Sequence, residues 1–335
     1  LNDDVRSVIS EPVPEEALEV AVGGIVAAVG GPDGLTPLQL EMMRAILRQI
    51  IGSDLDPTAV PLRDPGEVAS AVPREESRLV VVHAMVTLEF VLHPEPHDTS
   101  VRVEEYARAL GVEAPMVHAA RRFADDQAAL MYLDIQRNAL YTEEAVHNAL
   151  HGRLYELIRS KLAYQGIRPD RHIASKWRAL EDSPEGSWGQ GVAAFYHRHH
   201  FPFPGERHGI SELGAQHDFV HVLADYEADP EGEIDVFAFI AAAMPDPKGF
   251  TQFAMTLALF QNGAIRHVAG KKVVIARTDT LDDPGAVQRW ADAVRRGTAC
   301  RVDVMAGVDH FALATRNLDE LRAEFAIPPK GVPVG

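Results

Sequence analysis

Apolar residues recur three and four positions apart in almost every long segment of this chain, and that spacing restricts it to helices packed on their apolar faces. Thr36 reads as an N-cap and Pro37 as the first helical residue of LQLEMMRAILRQII. The same periodicity runs through PREESRLVVVHAMVTLEFVL from Pro73, SVRVEEYARAL from Ser100, APMVHAARRFADDQAALMYLDIQRNAL from Ala114 and TEEAVHNALHGRLYELIRSKLAY from Thr142. It returns in FTQFAMTLALF from Phe250, VQRWADAVRRG from Val287 and NLDELRAEFAI from Asn317. Only KKVVIARTDTL from Lys271 joins a β-branched run to turn residues, so at most one small strand is expected. The expected fold class is all-α.

Length and charge narrow the function. A chain of 335 residues, 46% of them hydrophobic, can bury two cores. The breaker-rich stretches GIRPDR from Gly166 and EDSPEGS from Glu181 are candidate linkers, and the expected division is 12–140 and 141–335. A formal net charge of -17 opposes binding to phosphate backbones, so nucleic acid is not an expected partner. The single cysteine, Cys300, rules out an internal disulfide or a multi-cysteine metal site and suits a reducing compartment. It reads as a small packed residue rather than a nucleophile. The opening LNDDVRSVISEPVPEE has neither the basic nor the apolar region of an export signal, so a cytoplasmic location is expected. Apolar stretches such as VFAFIAAAM fall short of the ~20 residues of a membrane span.

One segment is chemical in its spacing. In AQHDFVHVLADYEADPEGEIDVF from Ala215, His217 and His221 are four apart and share a helix face. Asp229 is an N-cap candidate and Pro230 suits the first turn of the next helix, which predicts a tight helical hairpin. Folding back in this way brings Glu233 beside His221. Asp218 lies about 100° around the helix from His217, placed to reach a metal obliquely or to bind a metal-bound water. Two nitrogens with one or two carboxylates suit zinc, with iron, cobalt and manganese as alternatives. The plain structural reading makes the histidines hydrogen-bonding core groups, Asp218 their ion-pair partner and Glu233 a first-turn carboxylate. The other histidine cluster, His197, His199 and His200, points its rings in different directions and reads as a solvated helix end.

Two resemblances follow from these residues. The pattern H-D-x-x-H, eleven residues, E in HDFVHVLADYEADPEGE resembles the Coq4 family of ubiquinone-biosynthesis proteins. PEGSWGQGVAAFY from Pro184, the RRG at Arg295 and GVDHFALATRNLDELRAEFAIPP from Gly307 are similar to its other landmarks, in order. The resemblance implies an all-helical domain in which His217, Asp218, His221 and Glu233 hold a metal, commonly zinc. In a metalloenzyme, Asp218 or a bound water is the candidate for moving the proton. It implies an isoprenoid or lipid-like ligand and the oxidative removal of a ring carboxylate from a prenylated aromatic acid. Zinc cannot change oxidation state, so an oxidative step would need iron-activated dioxygen, an activated substrate or another protein. The segment LADYEADPEGE is more acidic than the family's version, and KKVVIARTDTL has no placed counterpart. In the first part, GGPDGLTPLQLEMMRAILRQI and LHPEPHDTSVRVEEYARALGV form a faint repeat that resembles the TerB-like tellurite-resistance domains, with Asp33, Gly34, Glu41 and Asp98 in the corresponding turns and helix starts. Solvated carboxylates near helix starts are the plainer account of Asp33, Glu41 and Asp98.

The expected architecture is therefore an N-terminal TerB-like bundle and a C-terminal metal-binding helical domain. Expected partners are an isoprenoid or lipid-like small molecule, a membrane surface touched peripherally, and a second copy in a homodimer. The apolar helices DVFAFIAAAM and FTQFAMTLALF are candidates for a hydrophobic channel, though such helices more commonly form ordinary core. Two other functions compete with the metalloenzyme: a non-catalytic lipid-binding or scaffold protein with a structural metal, and an HD-type phosphohydrolase. Glu233 and the later landmarks weigh against the last.

Overall fold

The computed structural model describes residues 13–31, 34–92, 97–113, 116–117, 167–244, 248–261, 267–268, 271–272 and 278–331. These residues form an all-α fold. The first half holds α1 (Glu15–Gly30), α2 (Pro37–Ala45), α3 (Pro65–Ala71), α4 (Glu75–Phe90) and α5 (His97–Leu110). The second holds α6 (Arg171–Arg178), α7 (Trp188–His199), α8 (Glu212–Ala224), α9 (Pro230–Ala243), α10 (Lys248–Phe260), α11 (Ala286–Ala299), α12 (His310–Leu313) and α13 (Leu318–Glu324). The only strands among the described residues are His267–Val268 and Lys271–Lys272, an antiparallel pair two residues long. The small strand expected near Lys271 is thus present at its first two residues. The helices expected in APMVHAARR and TEEAVHNAL, the division near residue 140 and Asp33 lie outside the described residues, apart from Met116 and Val117.

Local chemistry sets the helix starts. Thr36 accepts from the Gln39 backbone N–H while the Gln39 side chain accepts from the Thr36 N–H, a reciprocal cap ahead of Pro37. Gln39 is buried, and its Nε2 also donates to the Leu88 carbonyl of α4, so one amide both caps α2 and ties it to its neighbour. Beyond Ala45 the expected α-helix does not continue as such. Residues Ile46–Ile51 widen into a π-turn closed by left-handed Gly52.

α9 is the axis of the second half. All but a few of its residues are buried, and α10 and α11 pack on it. Gly297 makes the α9–α11 contact possible, because a Cβ there would sit 2.3 Å from the Phe239 carbonyl oxygen. Apolar residues from Val13 to Ile327 belong to one continuous core. The halves meet where α4 packs on α10 and where α2 and its π-turn pack on α11, with a Gln288 to Glu41 hydrogen bond of 2.8 Å at the edge. Glu41 and Asp98 are exposed, as solvated carboxylates would be. Among the described residues, no helix is long and apolar enough to cross a membrane.

Candidate metal centre

The two helices carrying the candidate ligands are built by short-range signals. Ser211 caps α8 by accepting from the Gly214 N–H, and Asp229 caps α9 by accepting from the Gly232 N–H, with Pro230 in the first turn. Between them Asp225 takes the left-handed conformation that ends α8, and the Tyr226 N–H closes onto the His221 carbonyl. The turn is so close that a Cβ on Gly232 would lie 1.9 Å from the Glu227 carbonyl oxygen. Two arginines then hold the end of α8. Buried Arg296 donates to the Ala224 carbonyl at 2.8 Å and the Tyr226 hydroxyl at 2.6 Å, and Arg322 donates to the Leu223 and Val222 carbonyls. Guanidinium groups at a helix C-terminus satisfy orphan carbonyls and complement the helix dipole.

This hairpin brings the sequence-predicted residues together. His217 Nε2 lies 3.4 Å from Asp218 Oδ1 and 3.7 Å from Glu233 Oε2, and His221 Nε2 lies 3.4 Å from Glu233 Oε1. The ligand atoms of His217, Asp218 and His221 all fall within 4.8 Å of one another, the one such metal-capable group found among the described residues. Glu233 is not in that group of three, yet it touches both rings from the facing helix. His221 is fully buried, while His217 and Glu233 keep 12% and 20% of their side chains exposed.

Both rings are oriented by backbone carbonyls. His217 Nδ1 bonds the Gly214 carbonyl at 2.5 Å and His221 Nδ1 bonds the Tyr226 carbonyl at 3.2 Å. Since a carbonyl only accepts, each Nδ1 carries a proton, and each Nε2 faces the carboxylates. Phe237 lies against the His217 ring and Phe195 against the His221 ring, with centroids 5.2 and 5.4 Å apart. Nothing donates to the buried His221 Nε2, which has no hydrogen-bond partner: its approach to Glu233 is not aligned for one. A nitrogen lone pair opposite a carboxylate oxygen is repulsive unless a proton or a cation stands between them.

His217, Asp218 and His221 could hold a cation. Donors about 2.0–2.2 Å from a tetrahedral ion stand roughly 3.3–3.6 Å apart; two of the pairs here, at 3.4 Å, fall in that range and the third, at 3.7 Å, lies just outside it. Without one, protons do the work. Burial pulls the His217 imidazole down, but Asp218, then Glu233 and the Gly214 carbonyl, bring it up to about 9. Burial would raise Glu233, yet His221 and His217 hold its carboxyl well below the usual carboxylate range. Asp218 goes the other way: burial dominates and raises it despite His217 and a 2.5 Å hydrogen bond from the Tyr196 hydroxyl.

Tyr196 is the residue that sequence reasoning missed. It lies on α7, fully buried, 22 positions before Asp218, with no spacing to mark it. Arg296 and Gly297 appeared only as a landmark in RRG, and their roles as a helix-end clamp and a close-packing point are visible only in three dimensions. The other histidines separate as expected. His197 pairs with Glu181 at 2.7 Å and His199 with Glu227 at 3.0 Å, both at the exposed end of α7, where His200 takes the left-handed conformation. Cys300 is partly buried and its thiol is pushed up to about 11 by burial, so it stays protonated. No protein-family model matches this chain, and no curated protein matches it either.

Proposed function

We propose that the α8–α9 hairpin binds a divalent metal ion through His217, His221 and Glu233, with Asp218 beside them, and that the chain is a metal-dependent enzyme acting on an aromatic acid with an apolar, prenyl-like tail. The observation that carries the metal is the unpartnered His221 Nε2, fully buried and turned toward a carboxylate. The donor set suits zinc first, with iron, cobalt and manganese as alternatives. The substrate class rests on the resemblance of HDFVHVLADYEADPEGE to the ubiquinone-biosynthesis family.

In this reading the bound ion supplies Lewis-acid stabilisation to an oxygen of the substrate carboxylate or ring hydroxyl. The remaining work belongs to the chain. His217 and Glu233, the partly exposed members, face the approaching substrate, while Phe237 and Phe195 keep the rings from turning. Tyr196 occupies Asp218 Oδ2, which leaves Oδ1 as the atom that holds or delivers a proton. Burial moves the Asp218 carboxyl above the usual carboxylate range, the direction that suits a general acid. On loss of the carboxylate the ring carbon keeps the electron pair of the broken bond, Oδ1 gives it a proton, and carbon dioxide leaves.

Metal analysis of purified chain reloaded in turn with zinc, cobalt, manganese and iron tests the reading. About one equivalent per chain is expected, and its loss in His217→Ala with the helical fold retained. A stoichiometry near zero with all four ions removes the proposal. A structural ion is the second reading, favoured by complete burial of His221. In that case stripping the metal lowers the melting temperature as strongly as it lowers ligand binding.

A further inference from the structure

We infer that the seam between the two halves contains a second, separate binding site, for a small uncharged apolar molecule of about single-ring size. The site is a cavity of about 100 Å³ between α4 and the π-turn on one side and α9, α10 and α11 on the other. Its wall is apolar: Ile50 and Ala84 from the first half, and Ala238, Phe253 and Trp290 from the second, are representative. None of His217, Asp218, His221 and Glu233 lines it.

Size and chemistry select the occupant. An apolar cavity of about 150 Å³ in another protein stays dry and takes benzene, so the smaller volume here admits at most one ring or a short branched chain, with any remainder emerging from the mouth. Four rings line it, in two stacked pairs: His83 on Phe250, centroids 3.7 Å apart and 7° from parallel, and Phe253 on Trp290, 6.4 Å apart at 18°. Planar neighbours favour a planar guest through offset or edge contacts. The polar groups of the wall residues are the Thr87 hydroxyl, the His83 imidazole, which burial drives down to about 3, and the Trp290 indole N–H, which is buried without a hydrogen-bond partner, so the wall carries no charge near neutral pH. A carboxylate or ammonium would lose most of its hydration there with no opposite charge to replace it.

The cavity has a mouth as well as a floor. Thr87, Ala238, Phe253 and Trp290 are buried, whereas Ile46, Ile50, Val80, Ala84, Ala241 and Phe250 are partly exposed. A guest can therefore enter without unfolding either half. Because the wall comes from both halves, an occupant touches both and stabilises their contact by mass action.

The test is thermal unfolding of the full chain with toluene as probe and benzoate at equal concentration as the charged control. Toluene is expected to raise the melting temperature in a saturable way and benzoate to leave it unchanged. In Ile50→Trp, which fills the mouth from a partly exposed position, the apparent toluene affinity should fall at least ten-fold. Ala84→Ile is the milder filler to use if that variant unfolds. His217→Ala should keep the toluene shift in full, which separates this site from the metal centre. No shift with toluene, an equal shift with benzoate, or an undiminished shift in the folded filler variant overturns the proposal. Loss of the shift in His217→Ala overturns its independence.

Discussion

Two histidine clusters lie within a short stretch of this chain and end in opposite situations. At the end of α7, His197 and His199 each find a separate acid, Glu181 and Glu227, and His197 keeps 64% of its side chain exposed. On α8, His217 and His221 share a single acid, Glu233, and one of them has no exposure at all. The difference lies in where the next element runs. α9 folds back along α8 and presents Glu233 to both rings, whereas at the end of α7 His197 and His199 meet different acids and the His199 ring packs on Phe195 and Phe201. Histidine content alone does not make a candidate metal centre; the convergence of the ligand atoms of His217, Asp218 and His221 does.

Several measurements would break that contrast or sharpen it. The largest effect is expected from His221→Ala, which removes the buried nitrogen: affinity for zinc or cobalt, read by competition with a chelating dye, should fall by at least about a hundred-fold. Unchanged affinity would put His221 back with His197 as a hydrogen-bonding group. Glu233→Gln should follow closely, because the amide keeps the shape but loses the charge shared by both rings. Tyr196→Phe is next, at roughly ten-fold or more, since Asp218 loses the group that orients it.

Proton linkage separates the clusters in a different way. With the metal-free His217 held at about 9, its ring is protonated at pH 7 and must lose that proton to bind a cation. Affinity should therefore rise with pH up to about 9, and calorimetry in two buffers of different ionisation enthalpy should show about one proton released at pH 7. The stability sign is opposite for the metal-free chain. A histidine raised above its unfolded value of about 6.5 stabilises the fold fully below that pH, and the contribution is lost as pH rises through about 9. The smallest effect belongs to His197→Ala: stability within about 0.5 kcal/mol and metal affinity unaltered, because its pair with Glu181 is exposed. A marked loss of metal there would dissolve the distinction.

Much of the site was legible from residue order alone. The interval from His217 to His221 is set by helix pitch, and the Asp229–Pro230 start sits where capping chemistry requires it, so the hairpin and the approach of Glu233 follow from short-range rules. The cap at Thr36 and Pro37 was legible for the same reason. The turn of Ile46–Ile51 into a π-helix was not, since the apolar period continues through it without a break.

What the chain's order determined by itself is the helical class, the approximate course of α4, α5, α10, α11 and α13, and the pairing of two imidazoles with a carboxylate across one tight turn. Each depends on contacts a few positions apart, where covalent geometry leaves few choices. Tertiary structure alone decided which carbonyls receive the Nδ1 protons, that Tyr196 meets Asp218, that Arg296 and Arg322 clamp the end of α8, and that the two halves leave a ring-lined cavity where they meet. Those partners are far apart in sequence, and only the packing of whole helices sets the distance between them.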